Sequence, residues 1–107
     1  MSDKINQIFK AIADPTRREI FHVLVVAGAA LSINQVSEHF DMSRQGVTKH
    51  LKFLEEAGMV QVQSKGRERF CFADPEPLKE VRGWLEIYDE FWGEKLDLLG
   101  KHLDNKA

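Results

Sequence analysis

Apolar residues in the first half of the chain recur at the three- and four-residue steps of helices. Ile5, Ile8, Phe9 and Ile12 mark a first short helix. Asp14-Pro15 opens a second. The Asp side chain accepts from the unpaired N–H groups of a first turn, and proline suits a position whose N–H has no helical partner. This helix runs to about Ala27 with Ile20, Phe21, Leu24 and Val25 inward, and Gly28 ends it. Ser32 caps a third helix through Phe40, burying Ile33, Val36 and Phe40. After a short Asp41-Met42 turn, Ser43 caps a fourth that runs to about Ala57 and stops at Gly58.

The period then changes to two. Val60 and Val62 share one strand face, Phe70 and Phe72 share another, and Lys65-Gly66 lies between them as a hairpin turn. Asp74-Pro75-Glu76-Pro77 breaks the second strand and opens a last helix over about 77–104. At 1.5 Å per residue that helix is roughly 40 Å long, too long to pack only against so small a domain. The predicted fold is mainly α with a small β-hairpin: four helices, a hairpin over about 59–73, then the long helix. With 107 residues there is room for one core and hence for a single domain, 1–107.

The fourth helix has two unlike faces. Val47, Leu51 and Leu54 gather on one side and anchor it, while Gln45, Thr48, Lys49 and Lys52 fall on the other. That polar side suits a DNA major groove. Gln pairs bidentately with adenine, Lys reaches guanine, and Thr meets a thymine methyl or a phosphate. Ser43 and Arg44 stand at the positive helix N-terminus, where phosphate is favoured. Charge sharpens the picture. The chain carries −2 overall, but residues 1–42 sum to −1, residues 43–73 to +3 and residues 74–107 to −4. The basic block includes the hairpin tip Lys65-Gly66-Arg67-Glu68-Arg69, whose three cations can lie along a backbone or enter a minor groove. Glu68 is expected to partner a neighbouring Arg. A helix-turn-helix followed directly by a basic hairpin is a winged helix.

Three separated motifs now carry a resemblance. Ala13-Asp14-Pro15-Thr16-Arg17-Arg18, Met42-Ser43-Arg44-Gln45-Gly46-Val47-Thr48-Lys49-His50-Leu51 and Leu54-Glu55-Glu56-Ala57-Gly58-Met59-Val60 resemble the ArsR family of small bacterial winged helix-turn-helix repressors. The likeness covers about residues 5 to 103. It implies a homodimer on a palindromic operator, with the fourth helix in the major groove and the hairpin as wing. The stretch Trp84-Leu85-Glu86-Ile87-Tyr88-Asp89-Glu90-Phe91-Trp92 resembles a metal-independent subgroup that often represses its own operon and is often encoded beside START-like or membrane proteins.

The last helix supplies a dimer surface. Leu78, Val81, Leu85, Tyr88, Trp92, Leu96, Leu99 and Leu103 form one stripe, and Trp84, Ile87, Phe91 and Leu98 a second, offset one. Together they cover about half the circumference, wider than one packed face needs. One stripe is expected on the protein's own core and the other on a partner, joined there by Ile5, Ile8 and Phe9 of the first helix. In the family resembled, the first and last helices dimerise. Two-fold symmetry then sets two reading helices about 34 Å apart, one DNA turn.

Signals for a switch are few. The family's commonest metal site needs cysteines in the helix that Ser32–Phe40 matches, and this stretch has no thiol. Asp97 and His102 of the last helix lack the spacing of the family's other site. His22, His39, His50 and His102 form no metal signature. No metal and no cofactor are therefore expected, and the residues name no small-molecule inducer. Cys71 lies out of phase with Phe70 and Phe72 and near Arg69, which leaves it partly accessible as a redox candidate. As a lone cysteine it has no partner thiol within the chain. The aromatics Trp84, Tyr88, Phe91 and Trp92 fit core or interface better than a ligand pocket.

Two function classes compete. The first is a sequence-specific DNA-binding transcriptional repressor on double-stranded DNA, acting as a homodimer by occupying an operator. The second is a protein-interaction module, an anti-factor using the winged helix on a protein. Catalysis has no support: there is no Gly-rich phosphate loop, and Ser43 and His50 sit about 100° apart on their helix. No apolar run approaches the roughly 18–20 residues of a membrane span, and the polar Met1-Ser2-Asp3-Lys4 start lacks a signal-peptide core. A cytoplasmic protein with no membrane partner is expected.

Overall fold

The computed structural model describes residues 3–106, with side chains from 3 to 93. Its elements run α1 (Asp3–Ile12), α2 (Pro15–Ala27), β1 (Leu31–Ser32), α3 (Ile33–Phe40), α4 (Arg44–Glu56), β2 (Val60–Lys65), β3 (Glu68–Ala73) and α5 (Leu78–Lys106). The helix boundaries follow from the caps. The Asp14 carboxylate accepts from the Arg17 backbone N–H at 3.0 Å, with Pro15 in the first turn, so α2 starts there. That N–H, together with the nearby Arg17 and His50, holds the Asp14 carboxyl below its ordinary range against the opposing effect of desolvation. Gly28 ends α2 at φ 63°, and its N–H reaches the Leu24 and Val25 carbonyls. Ser32 and Gln35 form a reciprocal capping box at the start of α3.

The expected hairpin is instead part of a three-stranded antiparallel sheet in the order β1-β3-β2. Leu31 pairs with Cys71 and Ser32 with Phe70, immediately before Ser32 caps α3. A two-residue strand has no alternation to betray it, so periodicity misses it. In the hairpin proper, Lys65 faces Glu68, leaving Gly66-Arg67 as the turn. Gly66 takes φ 65°, a backbone region where a Cβ is costly.

The strand phase also needs correcting. Cys71 faces Val62 and Ala73 faces Val60, so Cys71, not Phe70 or Phe72, points into the core. Phe70 and Phe72 are half-buried on the opposite face. Phe70 to Ala73 is a continuous apolar run in a central strand, and such a run does not declare its inner face. Cys71 is 0% exposed, its thiol donates to the Leu31 carbonyl at 3.3 Å, and burial pushes its pKa up to about 11 despite Arg69 nearby. Alkylation by iodoacetamide at pH 8 is therefore expected to be slow in the native protein and fast in denaturant. Rapid native labelling would contradict this placement. Because the folded thiol holds its proton longer than an unfolded one, its contribution to stability is lost as pH rises from about 9 to about 11.

The core joins α1 to α4 with the sheet. Ile8, Ile20, Leu24, Val36, Val47, Leu51, Leu54, Met59, Val60 and Cys71 are each at most 2% exposed. Val25, expected inward, is 42% exposed on the outer side of α2. A corner built by Arg17 fixes α1 to the back of α4. Its guanidinium donates to the Ala11 and Lys10 carbonyls at 2.8 and 2.7 Å and lies 4.3 Å from the Phe53 ring centroid. His50 of α4 faces Asp14 at 3.9 Å in the same corner.

α5 leaves this body behind. Leu78 and Val81 pack on the core, and Trp84 sets its ring edge-on to Phe9 at 5.1 Å. Beyond them both apolar stripes are open: Leu85, Ile87, Tyr88, Phe91 and Trp92 are 41–69% exposed. The expected division of one stripe for the core and one for a partner therefore holds only to Val81. The chain's radius of gyration is 19.0 Å, against about 13 Å for a compact domain of this size. No helix among the described residues is long and apolar enough to cross a membrane.

Candidate nucleic-acid interface

The turn between α3 and α4 sets the reading helix. Asp41 adopts the left-handed conformation at φ 51°, the Met42 N–H donates to the Ser37 carbonyl at 3.0 Å, and the Ser37 hydroxyl donates to the Met42 carbonyl. Ser43 then caps α4: its Oγ accepts from the Gly46 N–H at 3.0 Å. Val47, Leu51 and Leu54 lie in the core, as the amphipathic pattern requires. The opposite face is thereby turned outward, with Gln45, Lys49 and Lys52 exposed and Thr48 half-buried.

This face and the wing enclose a groove of about 550 Å³, lined by Arg44, Gln45, Thr48 and Lys49 of α4, by Arg67, Glu68 and Arg69, and by Ser32, Ile33 and Asn34. Six of the nine residues expected to touch DNA thus meet in one concavity. Ser43, Lys52 and Lys65 do not line it. Ser43 spends its hydroxyl on the cap, whereas Lys52 and Lys65 are exposed farther along α4 and at the end of β2. The groove also holds residues that sequence reasoning passed over. Asn34, in the first turn of α3, accepts from Arg44 Nη1 through its Oδ1 at 3.3 Å. Its polarity at a helix start was a weak signal, because α3 reads as a core-facing helix.

The electrostatics are one-sided. Arg44, Lys49, Arg67 and Arg69 line the groove against a single carboxylate, Glu68. Among the described residues none of these cations stands in an ion pair. A concave, unneutralised cationic wall concentrates positive potential and attracts a polyanion. No three His, Cys, Asp or Glu side chains gather as a metal site among the described residues.

The expected dimer residues are placed unevenly. Ile8 is 0% and Ile5 5% exposed, so both belong to the protomer's own interior and offer almost no surface to a partner. The spacing that put them on one helix face could not say which body covers that face. Phe9 is half-buried against Trp84, while Ile87 and Phe91 are 69% and 50% exposed. Leu98 lies outside the residues whose side chains are described, as do Leu96, Asp97, Leu99, His102 and Leu103.

Known proteins are similar to this chain in sequence and fold. A family model described as a helix-turn-helix domain matches residues 12–63. The transcriptional repressor SdpR of Bacillus subtilis is 31% identical over 81 residues, covering 76% of this chain and 88% of the relative. The HTH-type transcriptional regulator Rv2034 of Mycobacterium tuberculosis is 31% identical over 95% of this chain and 91% of the relative. A crystal structure of an ArsR family transcriptional regulator superposes with a TM-score of 0.75 at 34% identity, covering 85% of this chain and 92% of that one. With its cationic groove between reading helix and wing, this chain is a DNA-binding transcriptional regulator that belongs to the ArsR family of winged helix-turn-helix proteins.

Proposed function

We propose that the protein is a repressor that binds a two-fold operator as a homodimer, by the apolar face of α5 with Phe9 and Trp84. The observation that carries this reading is the groove. It holds base-reading side chains (Gln45, Thr48, Lys49) beside phosphate-binding ones (Arg44, Arg67, Arg69) in one concavity. α4 enters the major groove, and the β2–β3 wing follows the backbone at the edge of that same groove. Two such grooves about 34 Å apart fit successive turns of one face of the duplex. The protein acts by occupancy and performs no chemistry. Its place of action is the cytoplasm, and its own upstream region is the first operator to examine, since autorepression fits the subgroup that its α5 resembles.

Two substitutions test the assignment of roles. Lys49→Ala removes a base contact and is expected to cost about 1–3 kcal/mol of operator affinity while sparing binding to unrelated DNA. Arg67→Ala removes one backbone contact from each protomer and is expected to weaken binding to all sequences and to reduce the salt slope by about two. Titration of both variants by fluorescence anisotropy reads these effects. Unchanged operator affinity in both would contradict the site.

A further inference from the structure

The acidic residue of the wing behaves differently from its sequence expectation. The described ion pairs are Lys4–Glu80, His50–Asp14 and Lys79–Glu76, and Glu68 is in none of them. Yet Lys65 stands opposite it in the strand register, and Arg67 and Arg69 flank it. Glu68 is exposed and lines the same groove as Gln45, Thr48 and Lys49.

A carboxylate on a polyanion-binding wall opposes every phosphate brought near it. Such a cost is offset where the carboxylate gains a hydrogen bond. Ionised Glu only accepts, so it needs a donor on the DNA. In the major groove guanine offers N7 and O6, both acceptors, and thymine offers O4 and a methyl group. Adenine's amino group stands beside the N7 acceptor, which repels a carboxylate. Cytosine's N4 amino group alone offers a donor with no acceptor on the same base edge.

We propose that Glu68 is a specificity-determining residue that accepts a hydrogen bond from the N4 amino group of one cytosine in each half-site and disfavours sequences lacking it. The proposal rests on the reading of this groove as the DNA interface. It gives the wing a part in sequence choice that its arginines, as backbone contacts, do not supply. At a wrong sequence the carboxylate is desolvated without a donor, so the penalty falls on non-cognate DNA.

The test uses the full chain as wild type, E68A, E68Q and K49A. Each is titrated onto the protein's own upstream operator, onto duplexes substituted at every base pair in turn, and onto an unrelated fragment. In wild type, replacing one C·G pair per half-site is expected to weaken binding about tenfold. In E68A that penalty disappears at this pair alone, and binding to unrelated DNA tightens several-fold. E68Q, which keeps an acceptor and drops the charge, tightens unrelated binding but retains part of the preference. Two results would overturn the proposal. In one, E68A tightens operator and unrelated DNA equally with an unchanged base profile, which makes Glu68 a bulk charge. In the other, E68A changes nothing, which puts Glu68 outside the interface. K49A separates the two levels. If it weakens operator binding, the groove stands whatever Glu68 does, whereas no effect in either K49A or E68A removes the groove itself as the interface.

Discussion

Carboxylates at Ile87 and Phe91 together (Ile87→Asp with Phe91→Asp) are expected to split the dimer and weaken operator binding by about a hundredfold or more. These residues stand one turn apart on α5 and are 69% and 50% exposed, on the stretch where the helix has left its own core. A protomer therefore loses little by the change, and its helical content and core are expected to persist. The dimer, in contrast, must bury two charges per chain without partners, at several kcal/mol each. Operator binding suffers through linkage. Two grooves held together make the second half-site contact intramolecular, an advantage of about 10²–10⁴ that separated protomers forfeit. Sedimentation of the double variant, with circular dichroism as a check on folding and an operator titration beside it, reads all three quantities. A dimer of unchanged stability would exclude this face of α5 as the contact.

The second large effect lies behind the reading helix. Leu54 is 0% exposed, on the side of α4 opposite Gln45 and Lys49, and packs within the central cluster. Leu54→Ala removes buried methyl groups and leaves a cavity, so a loss of about 2–5 kcal/mol is expected in urea unfolding at fixed protein concentration, with an unchanged m-value. That is a large share of the total for a domain of this size. Lys52→Ala, on the exposed face of the same helix, is expected to stay within about 0.5 kcal/mol. The contrast separates the two faces by experiment. Equal small effects would mean that α4 is not anchored as described.

What could be read from the chain was what is local. Asp14-Pro15, Ser32, Ser43 and Gly28 each satisfy backbone groups within three or four residues. The ends of α2, α3 and α4 were legible because those bonds are short-range. The two faces of α4 were legible for the same reason, since 3.6-residue periodicity alone separates Val47, Leu51 and Leu54 from Gln45 and Lys49.

What was misread depends on distant partners. Leu31-Ser32 becomes a strand because β3, some forty residues later, supplies its pairing. Cys71 turns inward because the register sets it between Leu31 and Val62, on the face of the sheet that packs on the core. Ile8, expected at a partner, is buried by its own chain, since an apolar helix face does not state what covers it. The groove shows the same division. Its cations and polar readers were named from one helix and one turn, whereas Asn34 and Glu68 entered only when α3, α4 and the wing were brought together.

In the proposed function this cationic groove, duplicated by two-fold symmetry, recognises a particular DNA sequence. The most direct test titrates the purified protein onto its own upstream region and onto an unrelated fragment across a range of salt. Three backbone-directed cations per protomer (Arg44, Arg67 and Arg69) in two protomers predict a log–log salt slope of about −5. Tight binding to the upstream region with that steep dependence, and far weaker binding to the unrelated fragment, is the expected result. Equally weak binding to both fragments, or none to either at low salt, would contradict it.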